Sequence, residues 1–196
     1  MHPEIISLCL FMFVTSCSPG PNNIVASYSG FNFGIIKTIP HMCGVIFGFT
    51  TLVAIMNFGL VNIFQRYPII QEILKYTGSL FLIYLAYKIS FSKSNTEDSS
   101  KSPVKFIETF FFQFINPKSV IVSVIMVSTY VDRGKDFLFY SFWVIGVAFL
   151  FALISINFWT LVGKFLRRFA TNEKFIKRFN YFMSLLLLAC IATFYL

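Results

Sequence analysis

The chain has 196 residues, of which 57% are hydrophobic, 19% aromatic and only 12% charged, with a net charge of +8. A soluble domain carries about 25% charged residues, so with half that share and a mean hydropathy of +0.74 a soluble enzyme, a disordered chain and a secreted disulfide scaffold are excluded. What remains is an all-α polytopic membrane protein in which six spans of about 20 residues use almost the whole length, and the positive excess marks a membrane face rather than a nucleic-acid footprint.

Residues 5–28 form the first apolar stretch. Val14-Thr15-Ser16-Cys17 resembles a lipoprotein cleavage box, but residues 1–4 hold no Lys or Arg and the apolar run continues past Cys17, so a retained span is expected. Inside it stand Ser18, Pro19, Gly20, Pro21, Asn22 and Asn23. Each proline removes a backbone donor and clashes with the carbonyl four residues back, which predicts a broken helix. Pro19 lies 14 residues past Ile5, about 21 Å along a helix axis and near the middle of a core about 30 Å thick. Unwound backbone at that depth is tolerated only where it is buried in protein or lines a wet cavity.

A short join at 29–38, containing Lys37, leads to the second stretch, 39–64. There His41 follows Pro40 close to the interface, where the ordinary reading is a hydrogen-bonded structural histidine and the functional one is proton coupling. Gly44 and Gly48 make a GxxxG that permits close helix packing, within one chain or across a homodimer. Asn57 lies near the far end, as Asn157 does in the fifth stretch, and each fits either an interhelical hydrogen bond or a cavity wall. The third stretch, 73–91, runs into a Ser- and charge-rich linker, 92–105.

The fourth stretch, 106–130, repeats the interruption of the first with Asn116-Pro117-Lys118, and Gln113 stands one turn earlier. Lys118 lies 12 residues past Phe106, roughly 18 Å in. A lysine at that depth costs about 2.5–3.5 kcal/mol, so a functional role is the expectation. The fifth stretch, 137–162, passes into the basic segment 163–178, read as facing lipid headgroups, and the sixth is 179–196. Of the eight acidic residues only Glu108 falls within a stretch, near its start. Proton coupling therefore falls to His41 or to Lys118 itself. The four cysteines show no CxxC spacing, and neither a metal site nor a cofactor is expected.

Eleven of the sixteen Lys and Arg fall on the side of the joins near 29–38, 92–105 and 163–178, which the positive-inside rule makes cytoplasmic, with both termini outside. Pro19 and Pro117 are 98 residues apart, half the chain, and shifting 39–64 by 98 gives the fifth stretch. This predicts a single transporter domain, 1–196, of two inverted three-helix repeats, about 1–91 and 106–196. Paired interruptions in such a repeat point to a midplane site. Its expected substrate-binding residues are Ser18, Pro19, Gly20, Pro21, Asn22, Asn23, Gln113, Asn116, Pro117 and Lys118.

The motif Ser18-Pro19-Gly20-Pro21-Asn22-Asn23 with Gly30, Gly34, Gly44 and Gly48, the run 74–78 with Tyr84, Leu85 and Lys88, and Phe114-Ile115-Asn116-Pro117-Lys118 together resemble the LysE/RhtB family of amino-acid exporters. Gly48-Phe49 and Phe112-Gln113-Phe114 are nearest its cysteine/O-acetylserine exporter branch. The resemblance implies export of small amino acids across a bacterial inner membrane, driven by proton entry. Exporters of basic amino acids often carry an Asp where Phe49 stands, so a neutral substrate is implied. The glycines usual near the start of the sixth span are replaced by Met183-Ser184. A passive small-solute or water channel is the alternative, since paired Asn-Pro motifs also resemble those of aquaporins. No constellation for a membrane-embedded enzyme is present.

Overall fold

The computed structural model describes residues 3–91, 104–131, 134 and 136–195. The expected linker 92–105 lies outside these residues except for its last two. The described residues are almost entirely helical: α1 Pro3–Cys17, α2 Pro21–Ile55, a π-helical turn Met56–Leu60, α3 Val61–Arg66, α4 Ile69–Ser90, α5 Phe106–Ile115, α6 Pro117–Tyr130, α7 Phe137–Leu166, a 3-10 turn Arg167–Phe169 and α8 Glu173–Ala192. Among them, four helical stretches are long and apolar enough to cross a membrane: 21–64, 69–90, 137–169 and 173–192. The pair α5–α6, bent by 62°, makes a fifth when taken as one span, and α1 is a shorter apolar helix.

Both expected breaks are present. Helix α1 stops at Cys17, and Pro21 opens α2 at its first position, where a missing N–H costs nothing. Pro117 opens α6 in the same way, with the Asn116 side chain capping it. The helix-opening proline of the first break is thus Pro21 rather than Pro19.

Where the join 29–38 was expected, α2 continues as helix and reverses at a single residue. Gly34 has φ 75° and ψ 179°, a conformation that glycine alone adopts without a steric penalty. Asn22 and His41 are 19 residues apart, about 28 Å on a straight helix, yet His41 Nε2 lies 3.4 Å from the Asn22 carbonyl. The chain therefore doubles back, with a first arm at 21–33 and a second at 35–55. The basic segment 163–178 is also mostly helical, since α7 runs to Leu166 and α8 begins at Glu173.

Glycines set the closest approaches. A Cβ on Gly30 would run into the Thr160 backbone, and one on Gly163 into the Ser27 carbonyl, so the first arm of α2 and α7 touch backbone to backbone. On the second arm, Gly44 and Gly48 do the same against α5, where an added Cβ would stand 2.7 Å from the Phe106 and Phe110 carbonyls respectively. On α8, Ser184 donates to the Ala86 carbonyl of α4 at 2.9 Å and is itself reached by the Ser90 hydroxyl at 2.7 Å. A small hydroxyl there replaces close packing with hydrogen bonds.

Two apolar clusters result. One joins α1, the second arm of α2, α6 and α7 around Leu52, Val53, Met56, Met126 and Ala148. The other joins the first arm of α2 with α4, α5 and α8 around Ile24, Val25, Leu82, Leu85 and Leu187. Outside them a band of large apolar side chains is exposed, Phe142 at 74% and Leu185 at 63% among them, which suits a hydrocarbon surround.

Candidate functional site

Lys118 brings the two breaks together. From the first turn of α6 its Nζ reaches Ser18, where α1 has ended, donating to the carbonyl at 3.1 Å and to Oγ at 2.7 Å. The carbonyl end of a helix carries partial negative charge, so the ammonium sits where α1 favours it. Gly20 leaves the groove for this side chain: a Cβ there would stand 2.9 Å from Nζ and 3.0 Å from Cδ. The other α1 carbonyls are capped too. Asn23 Nδ2 donates to the Ser16 and Ser18 carbonyls at 3.0 and 3.2 Å, and the Ser155 hydroxyl of α7 donates to Ser16 at 2.9 Å.

Behind this lies an amide relay. Asn22 Nδ2 donates to Gln113 Oε1 at 2.8 Å, and Gln113 Nε2 donates back to Asn22 Oδ1 at 3.1 Å. Gln113 Nε2 also donates to the Thr109 carbonyl at 2.9 Å, and Ser119 donates to Gln113 Oε1 at 3.0 Å. Asn116 Nδ2 donates to Ser119 at 3.0 Å, while its Oδ1 accepts from the Lys118 N–H at 3.2 Å. Gln113 and Asn116 are almost wholly buried, and a buried amide keeps its geometry only when all its groups are paired.

Between the breaks is a cavity of about 80 Å³. Thr15, Ser16, Gly20, Pro21, Asn22, Asn23, Asn116, Lys118, Ser119 and Ser155 form its polar wall, and Met12, Val45, Phe49, Val122, Ala152 and Ile156 its apolar wall. A water occupies about 30 Å³ of liquid, so the space suits a small solute. Among the described residues, Lys118 is the only charged side chain lining it. The backbone N–H groups of Asn22 and Asn23 lie in the first turn of α2, which has no intrahelical acceptors. Lysine and N–H groups can hold a carboxylate, while the α1 carbonyls can accept from an ammonium.

Of the residues expected at the site, Gly20, Pro21, Asn22, Asn23, Asn116 and Lys118 line the cavity, and Ser18 and Gln113 bond to its lining residues. Pro117 is buried and helps shape the turn. Pro19 is exposed and is not among the residues lining this cavity. His41 is buried behind the relay, its Nδ1 2.9 Å from Thr109 Oγ1 and its Nε2 3.4 Å from the Asn22 carbonyl. Because a carbonyl only accepts, Nε2 carries the proton in that contact. Thr109 can donate to Nδ1, or accept from a protonated Nδ1 while donating to the Lys105 carbonyl 3.2 Å away. The ring is thus partnered in either charge state.

Sequence reasoning missed Ser16, Ser155 and Ser119. A serine within an apolar helix carries little signal, because its hydroxyl can return to its own backbone. Glu108, read as interfacial, accepts from the Lys105 N–H at 3.2 Å and pairs with Lys88 at 3.6 Å.

The sequence profile described as LysE type translocator matches residues 13–195. The chain is 29% identical over 195 residues to the cysteine/O-acetylserine efflux protein of Salmonella typhimurium (strain LT2), with 97% of each chain covered. It is 28% identical over 198 residues to the protein of the same description from Escherichia coli (strain K12), again with 97% of each covered. No solved structure matches the chain.

Proposed function

The chain belongs to the LysE type translocator family, and from that premise we propose that it exports small neutral amino acids or related metabolites, of the cysteine/O-acetylserine kind, across a bacterial inner membrane, driven by proton entry. The observation that carries the reading is Lys118, a cation held at the junction of two broken helices over a small cavity whose other lining residues are uncharged. A zwitterion's carboxylate would pair with Lys118 and the N–H groups of Asn22 and Asn23, and the Ser18 carbonyl, which Lys118 leaves as it turns to the carboxylate, would accept from the ammonium. The apolar wall around Phe49 and Val122 favours a short uncharged side chain.

The architecture that goes with this reading is six spans in two inverted repeats, about 1–91 and 106–196, joined by a cytoplasmic linker. In it, α1 and the first arm of α2 form the first span, broken at 18–20, and α5–α6 form the fourth, broken at 116. Inverted repeats with paired breaks are a frame for alternating access. Proton coupling would use His41, whose neighbours accommodate both charge states, or Lys118, released when substrate leaves.

The test is efflux from cells overexpressing the chain and loaded with L-cysteine or O-acetyl-L-serine. Export above the control that falls when the proton gradient is collapsed supports the reading. Export indifferent to the gradient would instead favour the passive channel, and no efflux of any neutral amino acid would sink both.

A further inference from the structure

A second polar site lies beyond the end of the second arm of α2. At Met56–Leu60 the helix takes one π turn, and Gly59 has φ 135°. Such turns are single-residue insertions that re-aim neighbouring side chains, and they recur at functional sites. A Cβ on Gly59 would meet nothing within 4 Å. Around it opens a cleft of about 390 Å³ lined by Asn57, Phe58, Gly59, Asn62 and Phe137.

Asn57 is 3% exposed, and neither Oδ1 nor Nδ2 of its amide has a hydrogen-bond partner among the described residues. An unpaired buried amide is among the more costly features a fold retains, and it stands here on the wall of an open cleft. Phe58 and Phe137 cover one side, with ring centroids 6.2 Å apart. Asn62 offers a second amide, and none of the described residues that line the space is charged.

The cleft and the Lys118 cavity lie along one helix. Asn57 is eight residues past Phe49, about 12 Å along the axis, and Leu52, Val53 and Met56, all buried to 1% or less exposure, close the interval.

We propose that the Asn57 cleft is a second, weaker subsite for the exported zwitterion, on the far side of the Leu52–Met56 plug, with the Asn57 amide as its principal polar contact. An amide supplies one donor pair and one acceptor, which match a carboxylate and an ammonium. A neutral amide holds a zwitterion less tightly than an ammonium such as Lys118 does, as an exit subsite must. This inference rests on the export reading for the identity of its ligand.

The test separates the two. In a background with the four native cysteines replaced by serine, Phe58→Cys, 67% exposed at the cleft wall, is labelled with a maleimide in the purified full chain while O-acetyl-L-serine is titrated. Labelling should slow with ligand, and it should still do so when Lys118→Met is added. Asn57→Leu or Asn57→Ala should raise the half-protecting concentration by about tenfold, the worth of one amide contact. A thermal unfolding midpoint for Asn57→Leu no lower than that of the parent shows that the fold is retained, since an apolar isostere replaces an unpaired amide. Equal protection in the Asn57 variants, or protection abolished by Lys118→Met, would overturn the proposal. Labelling requires no transport, so a failure to export is scored separately.

Discussion

Lys118 and Gln113 do different work although they are one helical break apart. Lys118→Met keeps the stem but removes the ammonium that meets Ser18, and with it the charge a carboxylate would need. Initial efflux of O-acetyl-L-serine should fall by about tenfold to a hundredfold, the worth of a charge-assisted hydrogen bond, while the unfolding midpoint moves little. Gln113→Leu should show the opposite pattern. It strands the Asn22 amide and removes the acceptor of the Ser119 hydroxyl, costing about 1–3 kcal/mol, readable as a lowered thermal midpoint in detergent. A Gln113→Leu protein as stable as the parent would mean that the relay is not a structural element. Lys118 and the asparagines were legible in sequence because polar groups are rare inside an apolar run. Ser16, Ser119 and Ser155 were not, because their positions matter only once three separate helices meet. Of two prolines two apart, either able to break a helix, it is Pro21 that lands at a helix start and lines the cavity.

At the level of the element, the reversal at Gly34 and the crossing at Gly163 use glycine for different reasons, and substitution should separate them. A Cβ at Gly34 meets no neighbour within 4 Å, so Gly34→Ala is charged only with the left-handed backbone, about 1–3 kcal/mol. Gly163→Ala drives a methyl group into the Ser27 carbonyl and must push α7 off the first arm of α2. Thermal unfolding of the two variants should show the larger loss for Gly163→Ala, and the reverse order would contradict the packing described. The ends of the apolar helices α5 and α6 and the start of α7 were legible because those apolar runs are bounded by charge. The Gly34 turn was hidden for a physical reason: a one-residue reversal needs no polar segment, so composition alone spreads it over ten residues. The sixth stretch began early in the structure because the amphipathic turns from Glu173 are helical without being apolar enough to count as membrane.

For the whole molecule, the uneven placement of Lys and Arg sets the expected orientation. Alkaline phosphatase fused after residue 196 should be active and a fluorescent protein there dark, with the reverse for fusions within 92–103. The opposite pattern would invert the assignment of faces. The bond from Lys118 to Ser18 also imposes an order on biogenesis. It joins residues 100 apart in the chain, and synthesis at about 5–20 residues per second puts roughly 5–20 s between the two ends. Ser155, which completes the cap on Ser16, comes later still. During that interval the carbonyl end of α1 has only partners close in the chain, Ser18 on the Val14 and Thr15 carbonyls and Asn23 on those of Ser16 and Ser18. The first helix of this protein is therefore completed late, and the lysine that lines the cavity also adds one of the last bonds at its end.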